Sequence, residues 1–402
     1  MDEQKRSNQN IAYYAVKEAI YVAINPVLCG TIMQQFLLHR EVSPLWVGIY
    51  TTLVSAIQMV AMVLFTGVAE GTKTPLKHCT RILFWISCIS LAYLPVAYFD
   101  LGSHLTLALV CVFTIVQISL HSFKYVYDFR INYQIVQPAK FGTMTFLASA
   151  FTGVGGVAFS WLFARMIDTN AGGNPYFICM ALTLALMLAT VFFNARIKSI
   201  YELPTQKKEQ LGMVQQFRIV MQDKSFRQLI IPNLMRGITL SITGCIVLIA
   251  LVMDIDESGR AKIPLVCALA TALASVVYML LAKKLSVGAI NIVGGILTCA
   301  IIFMPRGNTA GFLILFFIGY LGRIIVDNAV PTMLFPIVNP KIAGSYHAWR
   351  SMLYNLCGIV VTPIISGLVE IVHPLWLLIP GAVTYVIVTV WYYIVCKKLS
   401  KS

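Results

Sequence analysis

Arg323 and Asp327 stand four residues apart in the middle of an apolar stretch, 319–344, that is long enough to cross a bilayer. A charge inside a membrane costs on the order of 3 kcal/mol even on a lenient insertion scale, so such residues face a protein interior or a watery cavity. At this spacing they share one helix face and can neutralise each other. A guanidinium and a carboxylate so placed can hold an ionic or hydroxylated solute, relay a proton or lock a gate. The arrangement recurs in the first half as Lys124 and Asp128. Both copies run into a similar exit, Gln137-Pro138 before Gly142 and Asn339-Pro340 before Gly344. A charged pair repeated at matching places, half a chain apart, points to a duplicated transporter.

These pairs must be positioned by membrane helices. Apolar residues make up 58% of the 402 residues and charged residues 11%, less than half the roughly 25% of soluble domains. Repeated apolar runs near 20 residues long predict spanning helices, and the strict alternation of spanning strands is missing. The spans are expected at 12–38, 45–69, 82–99, 105–127, 143–163, 175–194, 228–253, 263–282, 287–304, 311–338, 346–369 and 375–395. The polar N-terminus leads straight into the first of them without the short apolar core and cleavage site of a signal peptide, so that helix is expected to stay.

Lys and Arg set the orientation. With the N-terminus inside, the outer segments hold only Arg40, Arg165, Arg260, Lys262 and Arg306. The inner ones hold Lys5, Arg6, Lys73, Lys77, Arg81, Arg130, Lys140, the basic residues of the central segment, Lys283, Lys284, Lys341, Arg350 and the C-terminal lysines. The expectation is an all-α membrane protein of twelve transmembrane helices with both termini cytoplasmic, set in the cell membrane as a multi-pass chain. The formal net charge of +14 is then a topology signal beside an anionic leaflet rather than a nucleic-acid footprint. The short links force antiparallel neighbours. The one long connection divides the chain into a six-helix bundle at 1–195, a cytoplasmic linker at 196–227 and a second six-helix bundle at 228–402, related by a pseudo-two-fold repeat. Within the linker, 211–221 has apolar residues at helical spacing and could lie on the membrane surface; a regulatory contact there is the alternative to a plain tether.

Other chemistries lack support. The cysteines fall inside apolar runs or inner segments without a CxxC or Cys/His cluster, so neither a metal nor a disulfide framework is expected. No phosphate-binding loop suggests ATP-driven transport, and no nucleophile–base set suggests a hydrolase. No cofactor and no enzymatic activity are expected; the expected partners are a small-molecule solute, a coupling ion and the lipid bilayer, with the protein a monomer.

Gly67-Val68-Ala69-Glu70 followed by Lys73 and Lys77, the glycines Gly153, Gly155 and Gly156, and the run from Gly358 through Pro363 to Gly367 resemble motifs of the major facilitator superfamily of secondary transporters. The first is a shortened form with Glu in place of Asp, and the second lacks the family's proline. The family's fourth-helix arginine has no good match. The resemblance implies a site near the midplane between halves, lined by helices 1, 4, 7 and 10. Those are the helices on which this sequence puts its intramembrane charges: Lys17 and Glu18, Lys124 and Asp128, Arg236, and Arg323 with Asp327.

Each charge has a plainer alternative. Lys17 either couples an ion or snorkels to the inner surface. Glu18, as its neighbour, points elsewhere and needs another partner. Lys124 and Asp128 form an inner gate or structural pair, or contact solute. Arg236 has no acid one turn away, so it requires a carboxylate from another helix or an anionic ligand. Arg323 and Asp327 line the cavity or only fix packing. The substrate-binding candidates are Asn25, Gln34, Asn233, Arg236, Arg323, Asn328 and Tyr354; the ion-coupling or gating candidates are Lys17, Glu18, Lys124, Asp128, Asp327 and Glu70. Gln35, Cys29, His121, Tyr346, His347 and Asn355 enlarge the polar lining, and Pro26, Pro331 and Pro336 predict helix bends. The expected function is secondary active transport of a small polar organic solute, anionic or sugar-like, by alternating access with a proton or another ion. Drug or metabolite efflux on the same fold, or a non-transporting sensor or scaffold, are the rivals.

Overall fold

The computed structural model describes residues 2–70, 72, 74–136, 141–169, 173–201, 213–282, 284–334, 337 and 343–399. No strand occurs among them. In chain order the helices are α1 (Asp2–Cys29), α2 (Thr31–His39), α3 (Pro44–Glu70), α4 (Pro75–Tyr98), α5 (Ser103–Ile135), α6 (Phe141–Thr169), α7 (Pro175–Arg196), α8 (Met213–Gln222), α9 (Lys224–Gly244), α10 (Ile246–Val252), α11 (Glu257–Ala261), α12 (Ile263–Ala282), α13 (Val287–Thr298), α14 (Thr309–Leu334), α15 (Ala343–Leu368) and α16 (Leu375–Leu399). A 3-10 segment, Cys299–Phe303, extends α13.

Local chemistry sets many of the boundaries. Pro75 and Pro175 occupy the first positions of α4 and α7, where a missing N–H costs nothing. Asn174 caps α7 by accepting from the Phe177 N–H at 3.0 Å. Asp223 caps α9 by accepting from the Ser225 and Phe226 N–H groups at 2.8 and 3.1 Å, and a side-chain oxygen at this place satisfies donors the helix cannot. The expected first span, 12–38, starts earlier and is broken. Helix α1 begins at Asp2, and Gly30, four residues after Pro26, separates it from α2. The seventh is broken too: α9 and α10 meet at Cys245 with a 52° bend.

Among the described residues nine helices are long and apolar enough to cross a membrane, ten if the bent α9–α10 pair is one span, and Val287–Phe303 is a shorter apolar helix. Large apolar side chains such as Trp85, Phe192, Ile314, Val360 and Ile394 stand exposed, as lipid-facing helices require. The chain is a multi-pass membrane protein. The exit prolines Pro138 and Pro340, with Lys73, Lys140, Pro204, Lys207, Lys208, Lys283, Pro336 and Lys341, lie outside the described residues.

Two compact units form, Met1–Val42 with Val60–Gln210, and Ser43–Met59 with Leu211–Ser402. In the first, α1 packs on α6 and α7, and α4 packs on α5 and α7. The second repeats the scheme: α9 packs on α15 and α16, and α13 packs on α14 and α16. The opening part of α3 belongs to this second unit, where Gly48 lies against the Ser366 side chain of α15. Part of the expected linker is helix α8, which docks on α9 and α15. Its Phe217 ring stands 4.5 Å from Trp349, and Val220 is buried with Phe226, Tyr346 and Tyr392.

Lipid gives helices no hydrophobic reason to associate, so close backbone approach at small residues carries much of the packing. A Cβ on Gly294 of α13 would stand 2.8 Å from the Gly322 carbonyl oxygen, and one on Gly322 of α14 would stand 2.5 Å from that of Gly294. Gly322→Leu is therefore expected to destabilise the purified protein by about 1–3 kcal/mol, the usual cost of overpacking, lowering its thermal midpoint in detergent. An unchanged midpoint would mean that the two backbones do not meet this closely.

Candidate functional site

The first unit carries a closed quartet of charges. Lys17 and Glu18 come from α1, Lys124 and Asp128 from α5. Lys17 Nζ is 2.9 Å from Glu18 Oε1 and 3.0 Å from Asp128 Oδ1. Lys124 Nζ is 2.9 Å from the same Glu18 oxygen and 2.7 Å from Asp128 Oδ2. Each ammonium thus touches both carboxylates, and each carboxylate touches both ammoniums. Both lysine side chains are 0% exposed.

Two expectations change here. Lys17 does not snorkel; its head group is buried on carboxylates. Glu18 does not point away from its neighbour; a long lysine stem bends across the roughly 100° between adjacent helix positions, so Lys17 meets Glu18 and Asp128 while Glu18 reaches Lys124. The Lys124–Asp128 pair is half of a larger network rather than an isolated bridge.

Aromatic faces and weak donors complete the enclosure. The Lys17 ammonium lies 4.6 Å from the Tyr14 ring centroid and that of Lys124 lies 3.9 Å from Tyr21, positions in which a ring face attracts a cation. The Tyr21 hydroxyl hydrogen-bonds to His121 Nδ1. The Cys79 thiol of α4 lies 3.8 Å from both Asp128 Oδ1 and Asn194 Oδ1, tying α5 to α4 and α7. Farther along, Asn25 is half-buried and takes the Cys29 thiol on its Oδ1 at 3.4 Å, while Gln34 is buried in α2.

The second unit carries an open cluster. Arg236 of α9 forms an ion pair with Asp327 of α14, supplying the carboxylate from another helix that its position demands. Arg323 stands 3.6 Å from the other Asp327 oxygen. The i, i+4 pair is therefore the looser of the two, and Arg323 Nη1 instead donates to Thr243 Oγ1 at 2.6 Å. One carboxylate is shared between two guanidiniums. Tyrosines surround them: Arg236 lies 5.7 Å from the Tyr354 ring centroid, Arg323 lies 5.1 Å from Tyr320, and the Tyr385 hydroxyl donates to the Arg323 carbonyl at 3.4 Å. The Tyr392 hydroxyl donates to Asn233 Oδ1. Asn328, beside Asp327, is half-buried.

The structure thus brings Lys17, Glu18, Lys124 and Asp128 together, and separately Asn233, Arg236, Arg323, Asp327 and Tyr354. Asn25 pairs with Cys29 one turn along α1 instead, and Gln34 is buried in α2. The side chains of Glu70, Pro331 and His347 lie outside the described set. Tyr14, Tyr21, Thr243, Tyr385 and Tyr392 are partners that charge spacing does not reveal. A phenol stripe two turns apart on α16, Tyr385 to Tyr392, is the signal that could have found two of them.

Removing one member of a buried, mutually bonded charge set leaves an unmatched charge and costs about 3–5 kcal/mol. Glu18→Gln is expected to destabilise the protein by about that much, and adding Lys17→Met, which restores neutrality, should recover a substantial part. A double-mutant cycle on the unfolding of the purified protein measures the coupling; strictly additive losses would show that the four charges do not act as one network.

No family model matches the chain, and no curated protein matches it in sequence. Solved structures do match it in fold. A structure of a mutant of the nucleoside transporter NupG superposes with a TM-score of 0.71 at 10% identity, over 98% of this chain and 99% of that one. A POT family transporter in complex with a thioalcohol-conjugated peptide gives 0.70 at 12% identity, over 98% and 96%. A bacterial homologue of the human lysosomal transporter Spinster, inward-facing and unoccupied, gives 0.64 at 13% identity, over 99% and 98%. The chain has the fold of the major facilitator superfamily of transporters.

Proposed function

We propose that this protein is a secondary transporter that moves a small polar organic solute, anionic or sugar-like, across the cell membrane by alternating access. The observation that carries this is the placement of its buried charge. Within a transporter fold, the ionic clusters gather on α1 and α5 in one unit and on α9 and α14 in the other, the first, fourth, seventh and tenth spans expected from the sequence. Buried charge is costly and is kept where an ion or substrate pathway needs it. The same reading includes twelve spans, both termini cytoplasmic, six-helix bundles on either side of a central linker, and a monomer.

The roles divide by environment. Arg236, Arg323, Asn233, Asn328 and Tyr354 contact the solute, with Asn25 and Gln34 as further polar contacts. Glu18, Asp128 and Asp327 are the carboxylates available to a coupling proton or cation. Lys17 and Lys124 hold two of them, and Glu70 gates. The solved neighbours include a nucleoside transporter and a transporter holding a peptide conjugate, both polar cargoes. Efflux of lipophilic cations is disfavoured, because two arginines share one carboxylate in the second unit.

The test is flux into proteoliposomes with labelled nucleoside, dipeptide, sugar and organic acid, with and without a proton gradient. At least one is expected to accumulate, and Arg236→Ala and Arg323→Ala should each cut its uptake about tenfold or more, since losing a charged hydrogen bond costs about 1.5–3 kcal/mol. Uptake unchanged in both variants would remove these residues from the site. No flux of any solute would favour a sensor, and export of lipophilic cations would favour efflux.

A further inference from the structure

The sequence places Arg350 among the charges of the inner segments, yet the structure buries it. It lies one residue into the apolar Trp349–Leu368 span and is 6% exposed. Its Nε and Nη1 have no hydrogen-bond partner among the described residues, and no ion pair joins it to a carboxylate there. Nor can the neighbouring segment supply one, since 331–349 contains Lys341 and neither Asp nor Glu. Across α9, α14, α15 and α16 the sequence holds a single carboxylate, Asp327, and Arg236 and Arg323 already share it. Asp223, just before α9, is engaged in capping that helix.

Arg350 belongs with the second-unit cluster. Tyr354, one turn along the same helix, has Arg350 beside it and Arg236 5.7 Å from its ring centroid. Tyr392 of α16 lies near both arginines. With the Tyr392 hydroxyl bonded to Asn233 Oδ1, the Asn233 Nδ2 is left buried without an acceptor, and so is Arg236 Nε. The unmet groups around Tyr354 and Tyr392 are thus donors on Arg236, Arg350 and Asn233. Buried donors without acceptors are costly, and a cluster with an excess of guanidiniums fits an acceptor-rich anion. Arg is the side chain whose planar fork matches carboxylate and phosphate oxygens.

We propose that Arg350, with Arg236, Asn233 and Tyr354, forms a recognition site for an oxyanion head group, so that the cargo is an organic anion bearing a carboxylate or phosphate. This rests on the transporter reading for its purpose but not for its test. Arg350 is the anchor. Asp327 holds Arg236 in place and lowers the cluster's charge without cancelling it.

Thermal unfolding of the full-length protein in detergent, with succinate, glycerol 3-phosphate, inorganic phosphate or uncharged glycerol, decides it. A ligand that binds only the folded state raises the midpoint. At least one anion is expected to raise it by several degrees and glycerol not at all. A response to succinate alone assigns a carboxylate head, and a response to the phosphates alone assigns a phosphate. In Arg350→Gln the anion shift should vanish, with affinity down about tenfold or more, while the ligand-free midpoint is unchanged or higher, because an unmatched buried charge has been removed. Arg350→Lys should keep the charge but weaken binding, since it lacks the fork. The inference is overturned if no anion stabilises the wild type, if the shift survives in Arg350→Gln, or if that variant unfolds or fails to fold without ligand, which would make Arg350 structural. Flux of a neutral solute without any anion shift would sink this inference and leave the transporter standing. An Arg350-dependent shift without flux would do the reverse.

Discussion

A charge taken out of water must be met by another charge or by well-aimed hydrogen bonds, and the helix arrangement of both units follows from how that requirement is handled. In the first unit it is handled completely. Two ammoniums and two carboxylates from α1 and α5 alternate in space, every one touching both of its opposites. At the effective dielectric of a protein each such contact is worth about 4 kcal/mol before desolvation, so the quartet can offset its burial only as a closed set. It therefore fixes the rotation of α1 against α5, and through the Cys79 and Asn194 contacts it involves α4 and α7 as well.

Packing elsewhere serves the same end. Apolar side chains gain little by leaving lipid for a helix interface, so the helices close on small residues and on hydrogen bonds. The Gly294–Gly322 approach lets α13 and α14 meet backbone to backbone. Thr239 of α9 donates to the Gly381 carbonyl of α16 at 2.8 Å, and Asn291 of α13 donates to the Thr389 carbonyl of α16 at 2.8 Å. These contacts hold α14 and α16 where Asp327, Tyr385 and Tyr392 can surround Arg236. The same pairing scheme appears in both units with different residues at the seams, which is why a fold can be shared with transporters at 10–13% identity.

Much of the fold is legible in the sequence because hydropathy is a property of each helix alone. Helices such as α7 and α12 fall on or close to their expected limits. The need of Arg236 for a carboxylate from elsewhere is legible too, from the acids its own helix lacks. What depends on how helices are rotated against one another is not. Adjacent residues normally diverge around a helix, and nothing local shows that Lys17 reaches Asp128 while Glu18 reaches Lys124. The i, i+4 rule favours Arg323 for Asp327, yet the shorter contact comes from α9. Arg350 stands near the end of its apolar run, where a charge ordinarily marks the membrane surface; its burial depends on the tyrosines of α15 and α16. The break at Gly30 follows a proline that was visible, but a proline alone does not say on which side the chain departs from the helix.

The contrast between the two clusters bears on where a solute can do work. A ligand shifts a conformational equilibrium only by the difference in its affinity for the two states. A closed quartet has no unmet group to offer, so an anion entering it would have to break existing contacts before making its own. The second unit has buried donors without acceptors and guanidiniums that outnumber carboxylates. There an anion gains contacts without first losing any, and the binding energy goes into completing an arrangement that is unfinished without it.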